Sequence, residues 1–524
     1  MEEHLELTIL GLLVAVTALS IVARAVRVPY PIVLVLGGLA LGFVPDVGEM
    51  TLDPDLVLLI FLPPLLYSAA FFANPRELRN NIRPIGLLAV GLVFVTTGAV
   101  AVVAHELAGL PWGVAFVLGA VVSPTDAVAP AQIVRRFGVP RRVVTVIEGE
   151  NLTNDWTALT LYRFAVTAVV TGAFSWAWAA PRFLLTGLGG VVVGLAAGHL
   201  IRWVRKRVAD PSTSITISLF SGFAAYIPAE QLGLSGVIAA VTVGLYLGWY
   251  SAELTTPETR MQSQGAWEVL TFLLNAVLFV LVGLQFPRLA SDLHGETAGE
   301  LVVWAVAVSG AVIVVRLAWV FGLAHVLPRL VPRWYEDQPE PPWRVTLLLG
   351  WCSMRGAVAL AAALAIPHTI DGGGPFPHRD LVIFLTYTVI LATLVLQGLT
   401  LGPLIKVLRL RSDGLDEQEE ALARMRATEA GLARIDELLA DGSVSPETAE
   451  RTRALRDFRR RRFEARIDGD GSIDERSRRY QDFMHQVIAA ERDALVAMRN
   501  AGEITDDVRR TVERDLDLEE ARLS

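Results

Sequence analysis

Thirteen apolar runs separated by short connections fill most of the first 410 residues of this 524-residue chain. They fall near 7–26, 31–44, 54–73, 84–104, 112–134, 143–171, 183–204, 214–229, 234–250, 265–286, 301–327, 344–366 and 380–405, the second and eighth being short. About 20 apolar residues cross a bilayer as a helix. The first 410 residues are therefore expected to form an all-α polytopic membrane domain. Residues 411–524 are instead rich in Glu, Arg, Asp and Ala and read as a helical tail. Ser445-Pro446-Glu447 has the form of a helix start, and a turn is expected over Asp468–Ile473.

Charge in the connections tests the count of runs. Twenty lysines and arginines fall in alternate connections, among them Arg135, Arg136, Arg141 and Arg142, and Arg202, Arg205, Lys206 and Arg207. The other connections carry only Arg182, Arg288 and Arg379. Basic loops stay in the cytoplasm, so the N-terminus is expected outside and the tail inside. The acidic start, MEEHLEL, lacks the basic region of a cleaved signal, and the first run is read as a retained span. The overall charge of −8 mixes two unlike regions and says little about partners. A single cysteine, Cys352, excludes an intrachain disulfide framework.

Two runs are expected to be interrupted. The fifth contains Ser123-Pro124-Thr125-Asp126-Ala127-Val128-Ala129-Pro130, where two prolines remove amide donors. The twelfth contains Gly350-Trp351-Cys352-Ser353-Met354-Arg355-Gly356, with two glycines and a buried arginine. Broken backbone survives in a bilayer only against protein or a watery cavity. If runs 1–6 and 8–13 are two halves of opposite orientation, the broken helix is fifth in each. Paired breaks in inverted repeats point to a secondary transporter with its site where they cross.

The sixth run carries the chemistry. Val143 to Gly172 is long enough to span, yet it holds Glu148, Glu150, Asn151, Asn154, Asp155 and Arg163. Asp155 lies 13 residues beyond Arg142, roughly 20 Å along a helix and close to the midplane. Acidic groups so deep mark ion or proton paths, or pair with a base. A carboxylate that binds a cation or a proton, never both, couples their exchange. Asn151 shares a helix face with Asp155 and can offer an amide oxygen. Asn154 points elsewhere, towards the opened fifth run with Thr125 and Asp126. Such oxygen donors suit a hard alkali cation, Na+ above all at Asp155, Thr125 and Asn151, and the runs hold no soft ligand cluster. Arg355 needs an anion, and Glu150 with Glu148 are the expected partners in a buried ion pair. Arg316, inside the eleventh run, poses the same question. Arg163 is expected near the outer end of its helix, snorkelling to water.

These residues resemble the bacterial sodium/proton antiporters of the monovalent cation–proton antiporter family, relatives of the eukaryotic sodium/proton exchangers. The resemblance covers roughly residues 7–410. It is carried by Leu62-Pro-Pro-Leu-Leu66, Ser123-Pro-Thr-Asp126-Ala-Val128, Glu148-Gly-Glu150 through Asn154-Asp155, Asn275 to Gly283, and Arg355-Gly356. It implies a homodimer in the plasma membrane, with dimerisation spans 1–3 and 8–10 and a mobile core of spans 4–6 and 11–13. It also implies electroneutral exchange of one cation per proton, because Asn154-Asp155 stands where the electrogenic branch has two aspartates. Thr125, Asp126 and Asp155 map onto its ion-site motifs, and Arg355 with Glu150 onto its buried ion pair. Many relatives have a carboxylate where this chain has Ser68, and a serine where it has Asn151. The expected function is Na+/H+ antiport, with Li+ or K+ as competing cations. The alternatives are a K+/H+ antiporter and a cation channel or sensor. Membrane lipid, monovalent cations and protons are the expected partners. No enzyme activity, cofactor or nucleic acid is expected.

Overall fold

The computed structural model describes residues 2–44, 54–287, 296–332, 340–410, 414–468 and 471–523. Arg288, Arg333 and Arg411 of the loop-charge count, and Gly469 and Asp470 of the expected turn, lie outside the described residues. The chain divides into two compact units, Met1–Arg411 and Ser412–Ser524. Both are helical.

The first unit runs α1 (Glu2–Val26), α2 (Tyr30–Leu41), α3 (Pro54–Phe72), α4 (Pro75–Asn80), α5 (Ile82–Ala108), α6 (Trp112–Val122), α7 (Val128–Arg136) and α8 (Arg141–Thr171). It continues with α9 (Trp176–Arg205), α10 (Pro211–Gln231), α11 (Gly236–Trp249), α12 (Ser251–Leu254), α13 (Pro257–Leu284), α14 (Ala298–Leu330), α15 (Trp343–Trp351), α16 (Ala357–Leu364) and α17 (Arg379–Leu408). Each of the thirteen apolar runs is occupied by a helix or by a broken pair, α6/α7 in the fifth and α15/α16 in the twelfth.

Polar caps set several boundaries. α10, α13 and α14 begin three to eight residues ahead of their apolar runs. Asp210, Thr256 and Thr297 each accept a backbone N–H of the first turn, at 2.7, 3.2 and 3.3 Å. Proline follows the first two caps, and Glu300 completes a capping box with Thr297. Five helices are long and apolar enough to cross a membrane by themselves: α5, most of α9, α13, α14 and α17. The broken pairs miss that length because each break halves its span. α8 misses that composition because its charged face is the chemistry.

Close helix contacts use small residues, which let backbones approach where lipid provides no hydrophobic drive. A Cβ on Gly283 of α13 would run into the Val35 carbonyl of α2, and one on Gly38 into the Val280 carbonyl. The largest apolar core joins α2, α6, α13, α16 and α17. A smaller one joins α3, α8, α10 and α11.

The second unit consists of α18 (Leu415–Ala440), α19 (Pro446–Asp468), α20 (Gly471–Asn500) and α21 (Asp506–Leu523). α18 packs on α19 and α20 on α21. Ser445 caps α19 through the Thr448 N–H at 3.3 Å. Arg492 of α20 reaches Asp517 and Glu520 of α21 at 2.6 and 2.5 Å.

Candidate functional site

The two interrupted helices cross at their breaks. The Asp126 N–H donates to the Met354 carbonyl at 2.8 Å, and Arg355 Nε donates to the Val122 carbonyl at 3.0 Å. The expected opening between Pro124 and Pro130 is shorter than the prolines suggest. Helix resumes at Val128, so Pro130 sits in the first turn of α7, where a missing amide costs nothing.

Four half-helix ends meet here, each with a partial charge. Arg355 satisfies the carbonyl end of α6 through Val122; it also binds the Ser353 carbonyl, in the break two residues past α15, and its Nη1 is 2.9 Å from Ser353 Oγ. Asp126 serves the amide end of α7 and lies beside that of α16. Its Oδ1 accepts the Val128 N–H at 2.9 Å, and its carboxylate lies against Gly356 at the start of α16. A Cβ on Gly356 would stand 2.7 Å from Asp126 Oδ2, so only glycine lets the breaks cross this closely.

The second break is anchored from behind by α17, whose segment Thr393–Gln397 is π-helical. Thr393 Oγ1 accepts the Arg355 backbone N–H at 3.2 Å, and the Gln397 amide bonds Ser353 Oγ at 3.0 Å. Widened turns of this kind recur at functional sites. Thr393, Gln397 and Ser353 have no signature in the sequence and were missed.

The expected ion pair of Arg355 with Glu150 and Glu148 is corrected. Glu150 instead takes both oxygens to Arg316 of α14, at 2.5 and 2.8 Å, with both side chains buried. Arg355 needs no carboxylate because the Val122 carbonyl at the end of α6 and the Ser353 carbonyl in the second break supply its negative partial charge. Glu148 is separate from both arginines and pairs with Arg135 of α7 at 2.5 Å, partly in water.

The Arg316–Glu150 pair continues into the break. Thr125 Oγ1 donates to Glu150 Oε1 at 2.9 Å. Asn154 Nδ2 donates to the Thr125 carbonyl at 2.9 Å and to Thr125 Oγ1 at 3.0 Å. Asn154 thus points at the opened fifth run, as its position on the helix predicts. Its amide oxygen is buried and has no hydrogen-bond partner among the described residues.

A cavity of about 480 Å³ reaches this crossing. It brings together Ser68, Thr125, Asp126, Asn151 and Asp155 of the expected site, but not Asn154. Asn151 Oδ1 accepts the Ala127 N–H at 3.2 Å, so the oxygen read as an ion ligand also secures the break. Ser68 Oγ donates to the Leu65 carbonyl at 3.0 Å, inside its own helix. Asp155 is buried, at 6 % exposure, and its carboxylate has no hydrogen bond or ion pair among the described residues. A buried carboxylate without a protein partner is costly unless a proton or a cation satisfies it.

The far wall of the cavity is α13, through Gln264, Glu268, Thr271 and Asn275. Of these only Asn275 was marked in the sequence, as the start of the Asn275–Gly283 stretch. Their spacing of four, three and four residues is a helical stripe inside an apolar run, which is the signal that marks them. Glu148 and Arg135 also line the cavity. Among the described residues no cluster of three or more His, Cys, Asp or Glu side chains could hold a metal ion.

Residues 11–407 match the family described as sodium/hydrogen exchanger, transmembrane. An uncharacterised Na+/H+ exchanger of Mycobacterium tuberculosis is 36% identical over 526 residues, covering 98% of this chain and 95% of that one. A sodium, potassium, lithium and rubidium/H+ antiporter of Bacillus subtilis is 32% identical over 411 residues, covering 75% of this chain and 60% of that protein. The sodium proton antiporter of Methanocaldococcus jannaschii at pH 8 has a similar fold, with a TM-score of 0.58 at 19% identity over 77% of this chain and 99% of that one.

Proposed function

The chain belongs to the sodium/hydrogen exchanger family, and from that premise we infer that it is a multi-pass membrane antiporter exchanging Na+ for H+. Asp155 is the exchanging group. It holds a cation or a proton, and one excludes the other. Asp126, Thr125 and Asn151 complete the oxygen cage with Ser68, and Asn154 positions the Thr125 carbonyl. One cation moves per proton. The observation that carries this reading is a carboxylate without a protein partner, at a cavity that ends on two crossed, broken helices.

The thirteen runs cross the plasma membrane as two inverted halves, with the N-terminus outside and the tail, 411–524, in the cytoplasm. Runs 1–3 and 8–10 form the scaffold of a homodimer, and runs 4–6 and 11–13 form the moving core. The cavity opens to the cytoplasm, because Arg135 at its rim belongs to the basic set of connections. Alternating access follows when the core shifts against the scaffold. A second reading keeps this mechanism with K+ as the main cargo. The potassium named among the cargoes of the Bacillus subtilis relative and the neutral Ser68 both favour testing it.

Competition at one carboxylate has a kinetic signature. Over the acidic side of the activity range, the apparent KM for Na+ is expected to rise in proportion to proton concentration, about tenfold per pH unit, with Vmax unchanged. Initial rates in proteoliposomes at several pH values check this. A constant KM with a falling Vmax would place proton and cation on separate groups.

A further inference from the structure

The cavity opens one side of the interface between α3, α10, α11 and α13 and the helices that carry the breaks. The other side of that interface is shut. On α8 the cavity is lined by Glu148, Asn151 and Asp155. Beside and one turn past these residues on the same helix, Leu152, Trp156 and Leu159 pack into an apolar seal with Leu62 and Leu66 of α3, Tyr226 of α10 and Val241 of α11. Beyond the seal, eight residues past Asp155 and so about 12 Å further along the helix, Arg163 Nη2 meets Glu230 Oε2 of α10 at 2.7 Å. Arg163 therefore has an ionic partner at the helix end where snorkelling to water was expected.

Glu230 is held for this contact. Its other oxygen, Oε1, accepts the Gly236 N–H at 3.0 Å at the start of α11. One carboxylate thus caps α11, whose N-terminal dipole favours a negative charge, and reaches across to α8. Among the described residues no other ion pair joins α8 to α10 or α11.

We propose that Arg163–Glu230 is the latch on the closed side of the exchanger: it holds α8 against α10 and α11 while the cavity is open on the other side of Asp155 along the helix, and it parts when the site turns to face the other way. The proposal rests on the alternating-access reading above. The pair is half in water, with side-chain exposures of 53% and 28%. Exposed pairs contribute little, so the latch biases an equilibrium and does not lock it.

Two measurements on the full-length protein in proteoliposomes test it. In the first, Arg163→Cys and Glu230→Cys are combined and bridged with a short, reducible thiol crosslinker; the native Cys352 is buried. Exchange is expected to stop on crosslinking and to return on reduction. Exchange that continues through the crosslink overturns the latch without touching the antiport reading, which is carried by the activity of the reduced protein. In the second, a Thr271→Cys reporter on the cavity wall is labelled with a membrane-impermeant maleimide. Glu230→Gln, which keeps an acceptor for Gly236, and Arg163→Met are each expected to slow labelling about threefold, and the double variant no further. Unchanged labelling, or additive effects, overturns the proposal.

Discussion

Asp155→Asn is expected to reduce cation-driven proton movement to the rate of protein-free vesicles while leaving the protein folded. The amide has the size of the carboxylate but can neither exchange a proton nor neutralise a cation. No other group at the crossing can take over. Asp126 already accepts the Val128 N–H of α7, and Glu150 is paired with Arg316. Folding is expected to survive because Asp155 has no protein partner for the substitution to strand. Removing a buried, unpaired charge relieves a cost instead. The thermal transition in detergent should therefore be unchanged or raised. Residual saturable exchange in this variant would move the site to another carboxylate.

Arg316→Met is expected to behave in the opposite way, with a large loss of stability. It leaves Glu150 buried at 2 % exposure with only the Thr125 hydroxyl and a neighbouring positive field. Breaking a buried pair from one side costs about 3–5 kcal/mol. The loss reaches the site because Thr125 and Asn154 are held through Glu150. Arg316→Met combined with Glu150→Gln removes both charges and should recover most of the thermal stability, since well-packed neutral replacements of buried pairs are often tolerated. Arg355→Met should not be rescued by Glu150→Gln, because its partners are carbonyls. Melting curves of the four proteins decide the matter. Equal rescue of both arginine variants would return Glu150 to Arg355.

The sequence carried the fold because bilayers leave few choices. Apolar run length located the helices, and prolines and glycines located the breaks. The positions of Asp155, Thr125 and Asp126 were legible for the same reason: a charge deep in an apolar run has few explanations. Pairing was not legible. Arg316 and Arg355 are both lone arginines in apolar runs, and spacing along the chain cannot rank partners 166 residues away. The deciding fact is three-dimensional. The end of α6 and the Ser353 carbonyl of the second break converge on Arg355 and satisfy it, which leaves Glu150 to Arg316. The π-helical turn of α17 was equally hidden, since Thr393 and Gln397 look like ordinary polar residues of a membrane helix. Of the stripe from Gln264 to Asn275 only Asn275 was read, because the stripe begins at Gln264, just before the expected span at 265–286.

The central claim is that one carboxylate exchanges one cation for one proton. The most direct measurement is pH recovery inside proteoliposomes carrying a pH-sensitive dye and an imposed proton gradient. Na+, Li+ and K+ are added in turn, with the membrane potential first free and then clamped. The account predicts saturable recovery, with the same rate at every clamped potential, and the order of the three cations names the cargo. Recovery that follows the clamped potential would mean that net charge crosses with each cycle, and would contradict one-for-one exchange at Asp155.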